Sequence, residues 1–206
     1  MQKLLHKVQE FRRDEFPKKA ELFTRLDQGQ QPEVLLITCS DSRISPNLIT
    51  NTDPGELFII RNAGNIVPKH DEGLGEAATI EYAVKALGIK DIIVCGHSQC
   101  GAMAAVLNPS ACDSLPAVGK WLAGSQGLVE RAKKRHPDAS DEDLFGLVIQ
   151  ENVIAQLETL QQHPCVAEAI EKGEMNLHGW VYSIGTGDVS VLDAGQGTFD
   201  TMDKFV

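Results

Sequence analysis

The stretch LLITCSDSRISP, residues 35–46, changes character at its fifth residue. Leu35, Leu36, Ile37 and Thr38 form an apolar or β-branched run of strand length, the pattern of a strand buried on both faces. Cys39 ends the run, and Ser40, Asp41, Ser42 and Arg43 follow in one unbroken polar row. The pattern recurs twice. In GELFIIRNAGN (55–65), Leu57 to Ile60 run into Arg61 and Asn62; in KDIIVCGHSQCGAM (90–103), a third apolar run closes on Gly96, His97 and Cys100. A helical pattern, LGEAATIEYAVKALG (74–88), lies between them with Gly88 as its stop signal. Residues 113–162 read mostly as helix, and LHGWVYSIGTGDVSVLD (177–193) as two strands joined at Gly185–Asp188. Strands alternating with helices predict an α/β fold with a central, mainly parallel β-sheet flanked by helices.

The 206 residues suffice for one sizeable core, and we expect a single domain over 1–206. Within it we separate a helical arm (1–26), a core carrying the unusual strand ends (33–100), and a helical segment with C-terminal strands (113–206). In the arm, Leu4, Leu5, Val8, Phe11, Phe16, Leu22, Phe23 and Leu26 alternate with charges, an amphipathic helix broken near Pro17. Such an arm packs on its own domain or reaches a partner subunit. The net charge of −10 disfavours nucleic acid and anionic membrane surfaces as partners. No apolar run approaches the ~18 residues that span a bilayer, and the N-terminus lacks a signal-peptide pattern, so the expected compartment is the cytoplasm. Five cysteines, an odd number thinly spread, read as metal ligands, reactive thiols or buried small side chains and not as a disulfide framework.

In open α/β sheets, ligands bind at the carboxyl ends of the strands. Three predicted strands here end in Cys39-Ser40-Asp41-Ser42-Arg43, in Arg61-Asn62 and in Gly96-His97-Ser98-Gln99-Cys100. Taken singly, each group has a bland reading. H-x-x-C is a weak metal half-site, Cys39 a small buried hydrophobe, and Asp-x-Arg an ion pair worth about 1 kcal/mol or less. Their joint placement favours a metal. Cys39, His97 and Cys100 form a Cys-His-Cys set suited to Zn²⁺, one per chain, with a fourth position open as in catalytic sites. Asp41 then stands beside a water whose pKa the metal lowers to ~7, and Arg43 keeps that carboxylate ionised and in place. Cys95 reads as core filler; Cys112, Cys165 and the histidines at 6, 70, 136, 163 and 178 receive no role, although His70 sits in a loop from which it can relay protons.

CSDSR (39–43) and GHSQCG (96–101) resemble the two zinc motifs of the β-class carbonic anhydrases. PGELFIIRNAGNIVP (54–68) and IEYAVKALGIKDIIVCGH (80–97) extend the likeness. LPAVGKWL, NVIAQL, HPCV and LHGWVYSIGTG carry it towards the C-terminus, in particular towards bacterial members encoded alongside cyanase. The resemblance implies zinc-dependent, reversible hydration of carbon dioxide to bicarbonate and a proton. It implies Cys39, His97 and Cys100 as zinc ligands, and Asp41 with Arg43 as the catalytic pair. By the plant-like group's pattern, Gln30 in GQQP, Phe58, Ala63 and Tyr82 line the substrate pocket, the tyrosine coming from a neighbouring subunit. Gln30 stands where a bicarbonate-inhibited group carries tryptophan. The resemblance also implies a homodimer embraced by its N-terminal helices, assembling further to tetramers or octamers. Two other readings stay open: a CS2 or COS hydrolase of the same fold, and a zinc-binding module without turnover.

Overall fold

The computed structural model describes all 206 residues, which fall into two compact units, Met1–Gln31 and Pro32–Val206.

The N-terminal unit is helical almost throughout. Helix α1 (Gln2–Glu10) passes through a wide turn at Phe11–Glu15 and a tight 3₁₀ turn at Phe16–Lys19 into α2 (Ala20–Leu26). The tight turn holds Pro17, whose missing N–H is tolerated only where a helix restarts. Phe16 stacks on Phe23 with ring centroids 5.1 Å apart, and Phe11 meets both rings edge-on. None of these helical residues is buried, and Leu4, Leu5 and Val8 stand exposed along one stripe of α1.

The second unit is built on a six-stranded sheet: β1 (Val34–Cys39), β2 (Leu57–Asn62), β3 (Asp91–His97), β4 (Asn176–Tyr182), β5 (Val189–Asp193) and β6 (Thr198–Thr201). The spatial order is β2-β1-β3-β4-β5-β6. The first four strands are mutually parallel, and β5 and β6 turn back antiparallel. The expected mainly parallel sheet is present, with one more strand than the sequence reading found. From β1 the chain crosses to β2 on one side through α3 (Pro46–Thr50), then returns past β1 to β3 through α4 (Leu74–Glu81). The helical path of α4 continues over Tyr82–Ala86 and stops at Gly88, whose φ of +68° is the left-handed stop that glycine permits. The two connections therefore run in opposite directions across the sheet. The carboxyl ends of β1 and β3 flank the resulting switch point, where such sheets open a crevice.

The rest of the helical layer comprises α5 (Gly101–Leu107), α6 (Pro116–Trp121), α7 (Leu128–Arg135), α8 (Asp141–Leu160) and α9 (Pro164–Glu171). Helix α8 begins at Ser140, whose hydroxyl accepts the Asp143 N–H, with three acids in the first turn complementing the helix dipole. It lies against β3 and β4, where Val153 comes so close that a Cβ on Gly96 would sit 2.9 Å from it. Leu35, Ile37, Ile92 and Val94 face this side and pack with Ile80, Val153, Leu157, Leu160 and Val166. Leu36, Ile93 and Cys95 alternate onto the other face with Trp180 and Tyr182. Burial pushes the Cys95 thiol up to about 12, so it behaves as the core filler its apolar setting predicts. No helix is long and apolar enough to cross a membrane.

Candidate metal centre

The crevice at the switch point is where the chemistry gathers. The register pairs Thr38 with Cys95, which sets Cys39 at the end of β1 beside the end of β3, where His97 stands. Cys100 caps the N-terminus of α5. Between them Gln99 adopts φ +56°, left-handed backbone unusual for a residue with a side chain. That bend folds the H-S-Q-C segment back on itself, and a sulfur from each cysteine and a ring nitrogen of His97 all lie within 4.8 Å of one another. All three residues are buried.

The donor set fits a metal ion. His97 Nδ1 lies 2.9 Å from the Ser98 carbonyl, which makes that nitrogen the N–H donor. Nε2 is left as the acceptor, fully buried and without any hydrogen-bond partner. An unpartnered buried acceptor is costly, and a cation between two sulfurs resolves it. Thiolate, imidazole and thiolate in tetrahedral reach are the donors zinc prefers.

Electrostatics point the same way. The neighbouring Cys100 sulfur is the main cause that pulls the Cys39 thiol down; His97 and the Gly64 N–H assist, against burial. The Cys39 sulfur and burial drive the Cys100 thiol up, opposed by the backbone N–H groups of Met103 and Ala102 in the first turn of α5. For His97, burial alone would lower the ring's affinity for a proton, but the Cys39 sulfur, the Ser98 carbonyl and the Asp41 carboxylate outweigh it. The pocket is shaped to hold positive charge.

Asp41 and Arg43 sit at the rim. Arg43 grips the carboxylate with both arms of its guanidinium, Nε to Oδ1 at 2.9 Å and NH2 to Oδ2 at 2.7 Å, and its backbone N–H adds a third bond at 3.0 Å. This pairing holds the Asp41 carboxyl well below the usual carboxylate range. Arg43 also donates to the Gln99 carbonyl at 3.0 Å, which ties the two motif loops together. Asp41 Oδ2 stands 4.0 Å from His97 Nε2, the closest carboxylate approach to that unpartnered nitrogen.

Several groups that the sequence reading did not single out complete the frame. Arg61, noted there only as a polar strand end, donates to the carbonyls of Cys39 and Asp41 at 3.0 and 2.8 Å. The Gly64 N–H donates to Cys39 Sγ at 3.4 Å. Ser98 Oγ accepts the Ile184 N–H at 2.9 Å, anchoring the second motif to the β4–β5 connection.

The expected pocket residues divide. Ala63 is exposed in the loop after β2, beside Gly64. Phe58 and Tyr82 meet each other, with ring centroids 6.0 Å apart. Asn62 pairs with Cys39, and Phe58 precedes Asn62 by four residues, so it lies roughly 13 Å back along the strand from Cys39 of its own chain. Gln30 is an exposed residue of the N-terminal unit. His70, in its exposed loop, lies edge-on to His163 with ring centroids 6.3 Å apart.

Two cysteine sulfurs and one imidazole at the switch point of an α/β sheet, with an arginine-held carboxylate at the rim, define the class: a zinc enzyme. The family model "Carbonic anhydrase" matches residues 34–189. A carbonic anhydrase of Pseudomonas aeruginosa is 47% identical over 190 residues, 92% of this chain and 86% of that protein. The solved structure of the β-carbonic anhydrase CcaA superimposes with a TM-score of 0.93 at 41% identity, covering 98% of this chain and 91% of that one. A structure described among two tetrameric β-carbonic anhydrases of Sordaria macrospora gives 0.81 at 29% identity, over 94% and 96% of the two chains. The chain belongs to the carbonic anhydrase family and to its β class, with zinc as cofactor.

Proposed function

We propose that this chain catalyses the reversible hydration of carbon dioxide to bicarbonate and a proton, with Cys39, His97 and Cys100 holding zinc and Asp41 and Arg43 acting beside it. The observation that carries the assignment is the convergence of two sulfurs and an orphaned imidazole nitrogen within 4.8 Å, with an ionised carboxylate 4.0 Å from that nitrogen. Zinc bound there supplies a Lewis acid that brings the ionisation of a water into the neutral range.

The chain's own groups do the rest. Oδ2 of Asp41 has two acceptor sites, and Arg43 NH2 uses one of them. The second accepts a hydrogen bond from the reacting water and fixes which lone pair faces the carbon. The pairing with Arg43 keeps Oδ2 an ionised hydrogen-bond acceptor, so the released proton passes on to buffer and does not rest on Asp41. Arg43 occupies both carboxylate oxygens, which keeps Asp41 paired with the guanidinium in place of serving as a fourth ligand. The apolar wall behind Cys39 and Cys100, with Ile66, Met103, Val106 and Ile149, excludes bulk water on that side.

Stopped-flow CO2 hydration by metal-quantified protein, scanned from mildly acidic to alkaline pH, tests this. Turnover that requires about one zinc per chain and rises with pH is the expected result. No turnover at full zinc loading at any pH would overturn the assignment, and turnover of CS2 in its place would move it to the sulfur-substrate hydrolase.

We further propose a homodimer in the cytoplasm. The exposed stripe on α1 offers apolar surface to a partner copy, and the Phe58–Tyr82 pair, half of Tyr82 being exposed, lies at the wrong end of the strands for its own site. Tyr82 then reaches the partner's pocket beside Phe58, while Ala63 lines the slot next to the metal site, and CO2 or bicarbonate is the ligand of that shared slot. Light scattering at micromolar concentration should give at least a dimer; a fully active monomer would remove the shared pocket.

A further inference from the structure

One peptide unit links the metal-binding sulfur to a helix far away in sequence. In the peptide joining Ala63 to Gly64, the N–H donates to Cys39 Sγ at 3.4 Å and the C=O accepts from the Trp121 indole Nε1 at 2.8 Å. The N–H and C=O of a trans peptide point opposite ways in one plane. Indole, peptide and sulfur thus form a single chain of donors and acceptors, in which each bond polarises the next.

The loop needs such a hold. Gly64 has φ +82°, and a Cβ there would sit 2.9 Å from the Ala102 Cβ, so glycine is required. Glycine's freedom also lets its peptide planes rotate at little cost. Neighbouring peptides are already pinned. Asn152 Nδ2, on α8, donates to the Gly64 carbonyl at 2.9 Å; Gln156 donates to Asn152 Oδ1 at 2.9 Å and accepts the Val67 N–H at 2.8 Å. Asn62 closes the loop on itself through the N–H and C=O of Ile66. The plane that faces the sulfur has Trp121 on its carbonyl.

We propose that Trp121 is a positioning residue for the metal centre: through the Ala63–Gly64 peptide, its indole N–H keeps the Gly64 N–H on the Cys39 sulfur and so limits the charge that sulfur donates to zinc. Two thiolates already neutralise a dication, and an N–H on one of them preserves the Lewis acidity the reaction needs. The inference rests on Cys39 being a zinc ligand, and the experiment separates the two ideas.

Cobalt(II) substituted for zinc gives a sulfur-to-metal charge-transfer band in the near ultraviolet. An intensity below that of two coordinated thiolates in the unaltered protein at one cobalt per chain would overturn the ligand assignment, and this inference with it. Two changes at position 121 then remove the N–H: Trp121→Phe, and the non-natural benzothienylalanine, which keeps the bicyclic shape and has sulfur in place of N–H. Both should move the band to lower energy with its intensity retained, because a sulfur relieved of its hydrogen bond donates more readily. The same benzothienylalanine at Trp180 on β4 should leave the band in place. An unmoved band in the benzothienylalanine-121 protein would reduce Trp121 to packing, whatever the phenylalanine variant does to the melting temperature, and this arm decides even where that variant fails to fold.

Discussion

Asp41→Asn protein should keep zinc at one per chain and lose about a hundredfold or more of its kcat/KM for CO2 hydration, the scale of a lost acid–base partner. The side chain changes by one atom and the shape is kept. Arg43 Nε can still donate to the amide oxygen, and its second arm retains the Gln99 carbonyl, so the two motif loops stay tied. What disappears is the anion. With the amide oxygen at the place of Oδ1, the place of Oδ2 holds an NH2, which offers no acceptor. The water near His97 Nε2 loses the anionic acceptor that orients it. The loss should persist across the pH range, since it removes an acceptor and does not merely shift its ionisation. Metal analysis together with stopped-flow kinetics checks both halves. Full activity in a zinc-replete Asp41→Asn protein would sink the role assigned to the carboxylate.

The legible parts of the site share one property: their signal is local in sequence. Cys39, Asp41 and Arg43 occupy five consecutive residues after an apolar strand, and His97 and Cys100 follow another. A parallel sheet with its switch point between those strands brings the two segments together without further information. Gly88 and Pro17 were readable as stops because φ and the missing N–H are properties of the residue itself. Strand β6 was missed because Thr198–Thr201 is four residues long and carries a single large apolar side chain, Phe199, too little for a period of two to show. Helix α9 was missed because its Pro164 start and eight-residue length give little periodic signal. Trp121 and Asn152 were invisible for a different reason. Each acts on a backbone carbonyl, 58 and 88 residues away, and a carbonyl leaves no mark in the residue type that carries it. The only sequence trace of that network is the glycine between Asn62 and Asn65.

Cys39→Ser should abolish zinc retention after dialysis and with it all CO2 hydration. A serine hydroxyl is neutral at any working pH, so the variant removes one anionic donor of the two while keeping a polar atom of similar size. Loss of a group that merely orients a ligand costs metal affinity about 10–100-fold, and loss of the ligand must exceed that. The fold should survive: Cys39 ends its strand, and the β1–β3 ladder and the Arg61 bonds run through backbone carbonyls the substitution leaves intact. Thermal unfolding gives the sharper readout. Zinc stabilises the native chain in proportion to the logarithm of free metal over its dissociation constant. Unaltered protein should therefore melt lower after a chelator strips it, while the Cys39→Ser melting temperature should ignore both chelator and added zinc. A zinc-dependent melting temperature retained in Cys39→Ser would mean that His97 and Cys100 hold the ion with some other donor, and the site would have to be redrawn around it.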